Sequence, residues 1–273
     1  MIELPEAVVL SEQLKLKLKG KTITGVVTNS SPHKFAWFYE NPDDYPSRLI
    51  GQNLIEVKPR SGQVEMIFEA VHLTFSDGVN LRYFKPGSKL PLKHQLILSF
   101  DDESNLVCSV QMYGGLVAFP KGQYQNPYYI IAGQMPTPLS DDFSEDYFLN
   151  LVSAEKPTLS TKALLATEQR IPGLGNGVLQ DILYEAGIHP KRKLGTLSTQ
   201  ELKALYISIK NTIQQMTALG GRDTEKNIYG EPGGYPTRLS SKTQNLPCHK
   251  CGDIIHKESY MGGSIYYCAT CQK

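Results

Sequence analysis

The chain has 273 residues, of which 40% are hydrophobic and 20% are charged, and its formal net charge is only +1. This composition is typical of a folded protein with a sizeable core, and the length suits two domains or one domain with appendages. No run approaches the roughly 18 apolar residues of a membrane span, and the start lacks the basic and apolar regions of a secretory signal, so we expect a cytoplasmic protein with no membrane partner.

The charge is unevenly distributed along the chain. Residues 1–155 carry 13 Lys and Arg against 18 Asp and Glu, a local net charge of −5, whereas residues 156–242 carry 12 against 7, a local net charge of +5. A basic middle is compatible with a polyanionic partner such as nucleic acid, but also with an ordinary solvated face. Charge alone leaves both interpretations open.

The first half of the chain predicts one helix followed by strands. Residues 5–20 have apolar positions at helical spacing, Pro5 suits the first turn, and Gly20 can end the helix. From residue 21 to about residue 132 the sequence alternates or is rich in β-branched residues, and turn signals separate the runs. This stretch predicts a β-sandwich of about 110 residues.

Helical spacing takes over in residues 144–220, after a Pro-containing linker. The clearest helix begins at Ser198, because Ser198 and Glu201 match the capping box, and an earlier helix is closed by Gly187. The following loop, 222–236, is rich in glycine and proline, and long loops in compact domains are often functional. The predicted fold class is therefore α+β, with an N-terminal helix and β-sandwich followed by a helical domain.

The cysteines predict a metal site at the end of the chain. Two CxxC pairs are separated by sixteen residues, and they consist of Cys248, Cys251, Cys268 and Cys271. The stretch between them reads as two strands with a reversal, so two CxxC turns would meet at one end of a β-hairpin and hold a tetrahedral zinc ion. Four thiolates leave no open position, which indicates one structural zinc; two disulfides are the alternative, and a cytoplasmic chain argues against them. The fifth cysteine, Cys108, lies in an apolar strand and is predicted to be a core residue.

Two short stretches raise the question of chemistry. Glu3 lies two peptide bonds from the amino terminus, so the pair is either a frayed end or an amine and an acid placed together. The stretch RIPGLGNG precedes a predicted helix, whose free N–H groups could bind phosphate with help from Gly175 and Asn176. A helix–helix turn that needs glycine explains the same pattern, and both interpretations remain open.

These motifs form one ordered series: ELPE and a helix, a β-rich part, GLGN, AGIHP, a glycine-rich loop and a four-cysteine hairpin ending in CQK. The series resembles the formamidopyrimidine-DNA glycosylase / endonuclease VIII family along the whole chain, with the densest matches in residues 162–190 and 248–273. The resemblance implies a helix–two-turn–helix and a zinc-finger hairpin that bind DNA phosphates. It also implies a base-excision-repair glycosylase and AP lyase whose N-terminal amine attacks the sugar of a damaged nucleotide in double-stranded DNA. We expect a monomer associated with the nucleoid.

Carried over by position, the resemblance assigns the catalytic amine to Ile2 and the assisting carboxylates to Glu3 and Glu6. It assigns DNA contacts to Arg82, Tyr113, Lys162 and Asn176, and the glycine-rich turn adds Gly175. The expected division is a catalytic domain 1–134, a helix–two-turn–helix domain 135–242 and a zinc-finger hairpin 243–273.

Several positions depart from the family pattern. Ile2 stands where the family has proline, and because methionine is removed efficiently only before small residues, Met1 is expected to remain. The lysine of one hairpin is Gln63, the middle residue of the triplet that fills the void in DNA is Met112, and the arginine of the zinc hairpin is Gly263. These changes remove phosphate contacts that normally contribute salt-dependent affinity.

The departures leave alternatives to the glycosylase and lyase function. One is a non-catalytic protein that binds damaged DNA and has lost the amine chemistry. Another is a glycosylase without a covalent step, in which Glu3 activates water. RNA binding is a further, weaker alternative, because both DNA-binding parts contact backbone more than bases.

Overall fold

The structure, a computed structural model, describes residues 1–273. Its contacts divide the chain into two units. The N-terminal unit consists of residues 1–133 and Gly220–Gly234, and the C-terminal unit consists of residues 134–219 and 235–273. The chain thus returns to its first unit after completing a set of helices. The three-part division 1–134, 135–242 and 243–273 stays a prediction.

The N-terminal unit begins with the predicted helix and continues mainly as strands. Its elements are α1 Leu4–Leu18, β1 Ile23–Thr28, β2 Ala36–Trp37, α2 Tyr45–Leu49, β3 Glu56–Arg60, β4 Gln63–Ile67, β5 Val71–Ser76, β6 Val79–Phe84, β7 Leu96–Phe100, β8 Asn105–Val110, β9 Gly114–Pro120 and α3 Pro127–Gln134. Helix α1 ends slightly earlier than predicted, since Lys19 already leaves helical geometry and Gly20 turns the chain with φ +83°. The short helix α2 and the start of α3 interrupt the stretch predicted as purely strands.

The strands form two sheets around a common core. A four-stranded sheet has the order β1-β7-β8-β6, and a five-stranded sheet has the order β2-β9-β5-β4-β3. All neighbouring strands are antiparallel except β2 and β9. Buried side chains from both sheets and from α1 belong to one apolar cluster, which also includes Ile228 from the returning segment. Burying such side chains is the main stabilising contribution, at roughly 25 cal/mol per Å² of apolar surface.

A polar cluster around Glu65 ties α3 to the five-stranded sheet. Glu65 lies on β4 and is fully buried; its carboxylate contacts Nδ1 of His72 at 2.9 Å and accepts a hydrogen bond from the Tyr129 hydroxyl. Nη1 of Arg60 lies 3.5 Å from the other carboxylate oxygen. Burial raises the pKa of Glu65, but the hydrogen bonds from His72 and Tyr129 and the charge of Arg60 outweigh it and lower the pKa below the ordinary 4.5.

The C-terminal unit contains the predicted helices and the hairpin. Its elements are α4 Glu145–Ser153, α5 Thr161–Ala166, α6 Val178–Ala186, α7 Thr199–Ala218, β10 Ile255–Tyr260 and β11 Gly263–Cys268. The capping box of α7 is present, with Ser198 Oγ accepting from the amide of Glu201 at 3.2 Å and the Glu201 carboxylate accepting from the amide of Ser198 at 2.7 Å. Gly187 ends α6 in the left-handed conformation, as predicted. None of the helices is long and apolar enough to span a bilayer.

Candidate functional site

Two buried acids cap the first helix of the chain. Glu3 is the N-cap of α1, and its carboxylate accepts a hydrogen bond from the amide of Glu6, while the Glu6 carboxylate accepts from the amide of Glu3 at 3.3 Å. This reciprocal capping satisfies two free amides, and the negative charges are favourable at the positive end of the helix. Glu3 and Glu6 therefore have a local structural role that their sequence spacing already explains.

Arg222 lies against both acids. Its Nη2 and Nε contact the two oxygens of Glu6 at 2.7 and 3.0 Å, its amide donates to Glu6 at 3.1 Å, and its Nη1 lies 3.5 Å from Glu3. Only 2% of the Arg222 side chain is exposed. Burial lowers the pKa of Arg222, but the carboxylates of Glu3 and Glu6 raise it well above its ordinary value, so the guanidinium stays charged. Arg222, Glu3 and Glu6 form a buried charged cluster, which we call the arginine clamp.

The amino group of the chain is bound beside this clamp. The Met1 ammonium donates to the carboxylate of Glu225, and the Met1 carbonyl accepts from Nη2 of Arg222 at 3.2 Å. The next nitrogen, that of Ile2, is a peptide N–H that donates to the Asp77 carbonyl at 2.6 Å, and the Ile2 side chain belongs to the core. The N-terminus is thus ordered by the clamp and by the sheet instead of being frayed.

Met1 and Glu225, which contact each other through the amino group, both line a cavity of about 240 Å³. The lining includes Met1, Glu6, Glu225, Lys226, Gln111 and Met112. This volume is slightly below the roughly 300–1,000 Å³ of typical small-molecule pockets, so it suits one small group. Glu3 does not line the cavity, whereas Glu225 does and also contacts the amine. Sequence reasoning missed Glu225 and Arg222; the only signal was the glycine-rich loop 222–236 in which both lie.

The remaining predicted site residues of the N-terminal unit are Arg82 and Tyr113. Arg82 Nη2 donates to the carbonyl of Tyr229 at 3.0 Å, and its guanidinium packs so closely on Gly230 that a Cβ there would lie 2.1 Å from Nη2. Arg82 therefore holds the returning segment in this structure. Tyr113 is partly exposed, and its ring centroid lies 5.7 Å from that of Trp37. A DNA contact by either residue stays a prediction.

Two predicted DNA-binding residues of the C-terminal unit contact the β10–β11 hairpin. Lys162 is buried and donates to the Tyr260 carbonyl, and burial lowers the pKa of its ammonium. Asn176 Nδ2 donates to the Ser264 carbonyl at 2.9 Å. Gly175 precedes α6, and its carbonyl accepts the amide of Leu179 at 3.2 Å. The structure brings Lys162 and Asn176 to one hairpin, and their role in binding DNA stays a prediction.

The four cysteines form a site that fits one zinc ion. The Sγ atoms of Cys251 and Cys268 are 3.5 Å apart, those of Cys248 and Cys271 are 3.8 Å apart, and all four lie within 4.8 Å of one another. A tetrahedron with Zn–S bonds of about 2.3 Å has edges of roughly 3.8 Å, so these spacings match. Burial raises the pKa of Cys248, but hydrogen bonds from Tyr184 and from backbone amides outweigh it and lower the pKa to about 6. Four thiolates fill the coordination sphere, which makes the ion structural.

Known proteins match this chain over its full length. Residues 135–227 match the formamidopyrimidine-DNA glycosylase H2TH domain. The formamidopyrimidine-DNA glycosylase of Prochlorococcus marinus (strain MIT 9215) is 30% identical over 296 residues, covering 100% of both chains. That of Cytobacillus firmus is 27% identical over 281 residues, again covering 100% of both.

Solved structures show the same fold. The MutM (Fpg) protein from Thermus thermophilus has a TM-score of 0.82 at 23% identity, with 99% of this chain and 98% of that chain covered. The Lactococcus lactis Fpg in complex with abasic-site DNA has a TM-score of 0.83 at 21% identity, with 99% of both covered. The fold, the zinc site and the full-length sequence match together confirm the resemblance: the chain belongs to the formamidopyrimidine-DNA glycosylase family.

Proposed function

We propose that this protein is a DNA glycosylase of base excision repair with AP lyase activity, acting on damaged bases in double-stranded DNA. The observation that carries the proposal is an amino group bound by a carboxylate at the wall of a cavity, in a chain whose full-length relatives are named glycosylases. The Lactococcus lactis neighbour was solved with DNA that contains an abasic site. An enzyme of this kind would work on the nucleoid, in the cytoplasm.

The amine is the proposed nucleophile. A primary amine attacks a sugar C1′ only when it is unprotonated, so a proton acceptor beside it has a direct role. Glu225 takes one proton from the ammonium, the nitrogen forms a bond to C1′, and the base leaves with the electron pair of the glycosidic bond and takes up a proton. The nitrogen then loses a second proton, and its lone pair opens the sugar ring by breaking the C1′–O4′ bond, with O4′ taking up a proton. The product is a protonated Schiff base, and loss of a C2′ proton from it eliminates the strand at the C3′ phosphate.

The arginine clamp has a positioning role in this proposal. It binds the Met1 carbonyl and fixes the start of α1, so the amine cannot swing away from the cavity. Rigid placement of a reacting group is worth several kcal/mol of activation free energy. The amine is that of Met1 in the form described; if Met1 is removed, Ile2 would supply it. In this proposal Glu3 and Glu6 help to position the amine indirectly, because they bind Arg222 and cap the start of α1.

The C-terminal unit is the proposed phosphate-binding part. Lys162, Gly175 and Asn176 lie at the glycine-rich turn and at the zinc hairpin, where an ammonium, a helix N-terminus and an amide can contact successive phosphates. Arg82 and Tyr113 would contact DNA from the N-terminal unit. The non-catalytic alternative is not favoured, since the full-length relatives are named as glycosylases.

The test is covalent trapping. Purified protein is incubated with a duplex that contains an abasic site, with and without borohydride, and its intact mass is measured to show whether Met1 is present. We expect a borohydride-dependent adduct that maps to the N-terminal peptide. An adduct that maps to a lysine would refute the assigned nucleophile, and tight binding to the abasic duplex without any adduct or base release would refute the enzymatic function.

A further inference from the structure

An exposed aromatic surface lies beside the cavity. It consists of Phe35, Trp37, Met112 and Tyr113, and we call it the aromatic edge. The exposed fractions are 48% for Phe35, 49% for Trp37 and 66% for Met112. The resemblance to known glycosylases assigns a role to the triplet 111–113 but none to Phe35 or Trp37. Large side chains left half exposed next to one another indicate a binding surface more than scattered surface residues do.

Backbone pairing holds this surface in one conformation. Strand β2 pairs in parallel with β9, which places Trp37 opposite Gly115, and the amide of Gly114 donates to the Phe35 carbonyl at 3.0 Å. Glycine permits this close approach, because a Cβ at Gly114 would lie 2.8 Å from Cγ2 of Val79 and 3.0 Å from the Ser76 carbonyl oxygen. Two segments that are distant in sequence are therefore locked side by side, and the aromatic edge is preformed.

The chemistry of the aromatic edge fits a nucleobase. The Trp37 and Tyr113 ring centroids are 5.7 Å apart with an interplanar angle of 40°, so the rings support each other without covering each other's faces. The ammonium of Lys34 lies 5.4 Å from the Phe35 ring centroid, and His33 is beside the same ring. Aromatic faces beside a lysine ammonium are an arrangement that proteins use to stack unpaired bases and contact the adjoining phosphates.

The position of the aromatic edge next to the cavity indicates which base it would contact. Met112 belongs both to the aromatic edge and to the lining of the cavity that holds the amine. In the proposed function the sugar of the extruded nucleotide enters that cavity, so the surface next to it faces the gap that this nucleotide leaves in the duplex. The bases bordering the gap have lost a stacking partner there, and an apolar ring can replace it.

We propose that Trp37, supported by Tyr113, stacks on an unpaired or unstacked base at the damaged position and thereby contributes to selection of damaged over intact DNA. This inference rests on the proposed function. Intact duplex offers no free base face, so the contact forms only where a nucleotide is missing or extruded. Loss of one base–aromatic contact is expected to weaken binding to damaged duplex about tenfold, which corresponds to about 1.4 kcal/mol.

The test uses the fact that Trp37 is the only tryptophan of the chain. Its emission is followed while the full-length protein is titrated with a duplex containing a tetrahydrofuran abasic analogue, and separately with the intact duplex. Affinities of Trp37→Ala and Trp37→Phe are measured by anisotropy of labelled DNA. Leu92→Ala is the matched control, because Leu92 is 89% exposed and lies outside the aromatic edge. Thermal midpoints of all variants are compared to confirm folding.

We expect the damaged duplex to quench Trp37 and the intact duplex to leave it unchanged. Trp37→Ala should lose about tenfold in affinity for damaged duplex only, Trp37→Phe should keep most of it, and Leu92→Ala should match the wild type. Unchanged emission and an unchanged affinity of Trp37→Ala, in a protein that still binds and traps damaged DNA, would overturn the inference and leave the proposed function standing. If Trp37 emission changed with protein concentration in the absence of DNA, the aromatic edge would be a self-association surface and the inference would be overturned. No DNA binding of any kind would overturn both.

Discussion

Replacing Arg222 by methionine is the sharpest perturbation of the N-terminal unit. The substitution keeps an unbranched, flexible side chain but removes the guanidinium charge that faces Glu3 and Glu6. Both carboxylates then remain buried without the cation that contacts them in the wild type. Removing one partner of a buried ion pair costs about 3–5 kcal/mol, because the other charge is left uncompensated, so we expect Arg222→Met to lower the free energy of unfolding by that amount.

The assay is urea unfolding followed by the emission of Trp37. That residue belongs to the N-terminal unit, so the signal reports this unit even when the other unit unfolds separately. Lys89→Met is the control, because Lys89 is exposed and belongs to the same unit, and exposed substitutions usually change stability by less than about 0.5 kcal/mol. The two free energies of unfolding are compared at the same pH and salt concentration.

A second variant separates charge from packing. In Arg222→Met combined with Glu3→Gln and Glu6→Gln, no buried charge is left without a partner, so much of the lost stability should return. A loss below about 1 kcal/mol for Arg222→Met would contradict the argument that the clamp compensates two buried charges. A triple variant no more stable than the single one would contradict it as well, since packing alone would then explain the effect.

Three further predictions concern other sites. Glu225→Gln should slow adduct formation with abasic DNA by about 100-fold or more while binding is retained, with Glu231→Gln as the control; an unchanged trapping rate would remove Glu225 from the mechanism. The pKa of Glu65 is lowered by folding, so its contribution to stability is present above pH 4.5 and is lost as the pH falls below that value; the stability difference between wild type and Glu65→Gln should shrink across that range, and a constant difference in urea unfolding would contradict it. Cys268→Ser should abolish stoichiometric zinc and weaken DNA binding, whereas Cys108→Ala should keep one zinc per chain by metal analysis; undiminished DNA binding by the zinc-free variant would show that the hairpin is not needed.

Local signals predicted most of the fold. The capping box at Ser198, the glycine that closes α6 and the CxxC spacing are each set by residues close in sequence, so chain order alone reveals them. The alternation of apolar and polar residues also predicted that strands are present, but it did not predict the order of the strands in each sheet. The pairing of β2 with β9 joins residues 36–37 to residues 114–115, and no periodicity encodes a contact over that distance.

The candidate site was harder to predict for the same reason. Glu3 and Glu6 were identified because they lie in a short motif at the start of α1. Their partner Arg222 lies more than 200 residues further on, in a loop whose composition indicated function without indicating which side chain matters. Glu225 was missed likewise. Buried charge compensation is a property of the folded arrangement, and a single sequence gives only the charges and not their distances.

The returning segment Gly220–Gly234 has a consequence for how the protein is made. Ile228 is part of the N-terminal core, and its carbonyl accepts the amide of Tyr83 at 2.9 Å. During synthesis, the first 133 residues leave the ribosome before Arg222 and Ile228 are translated. Until then, the core between the two sheets lacks Ile228, and Glu3 and Glu6 lack their contact with Arg222. An isolated 1–133 fragment is therefore an unfinished fold, and the last contacts of the first unit can form only after the helices between its two parts have been translated.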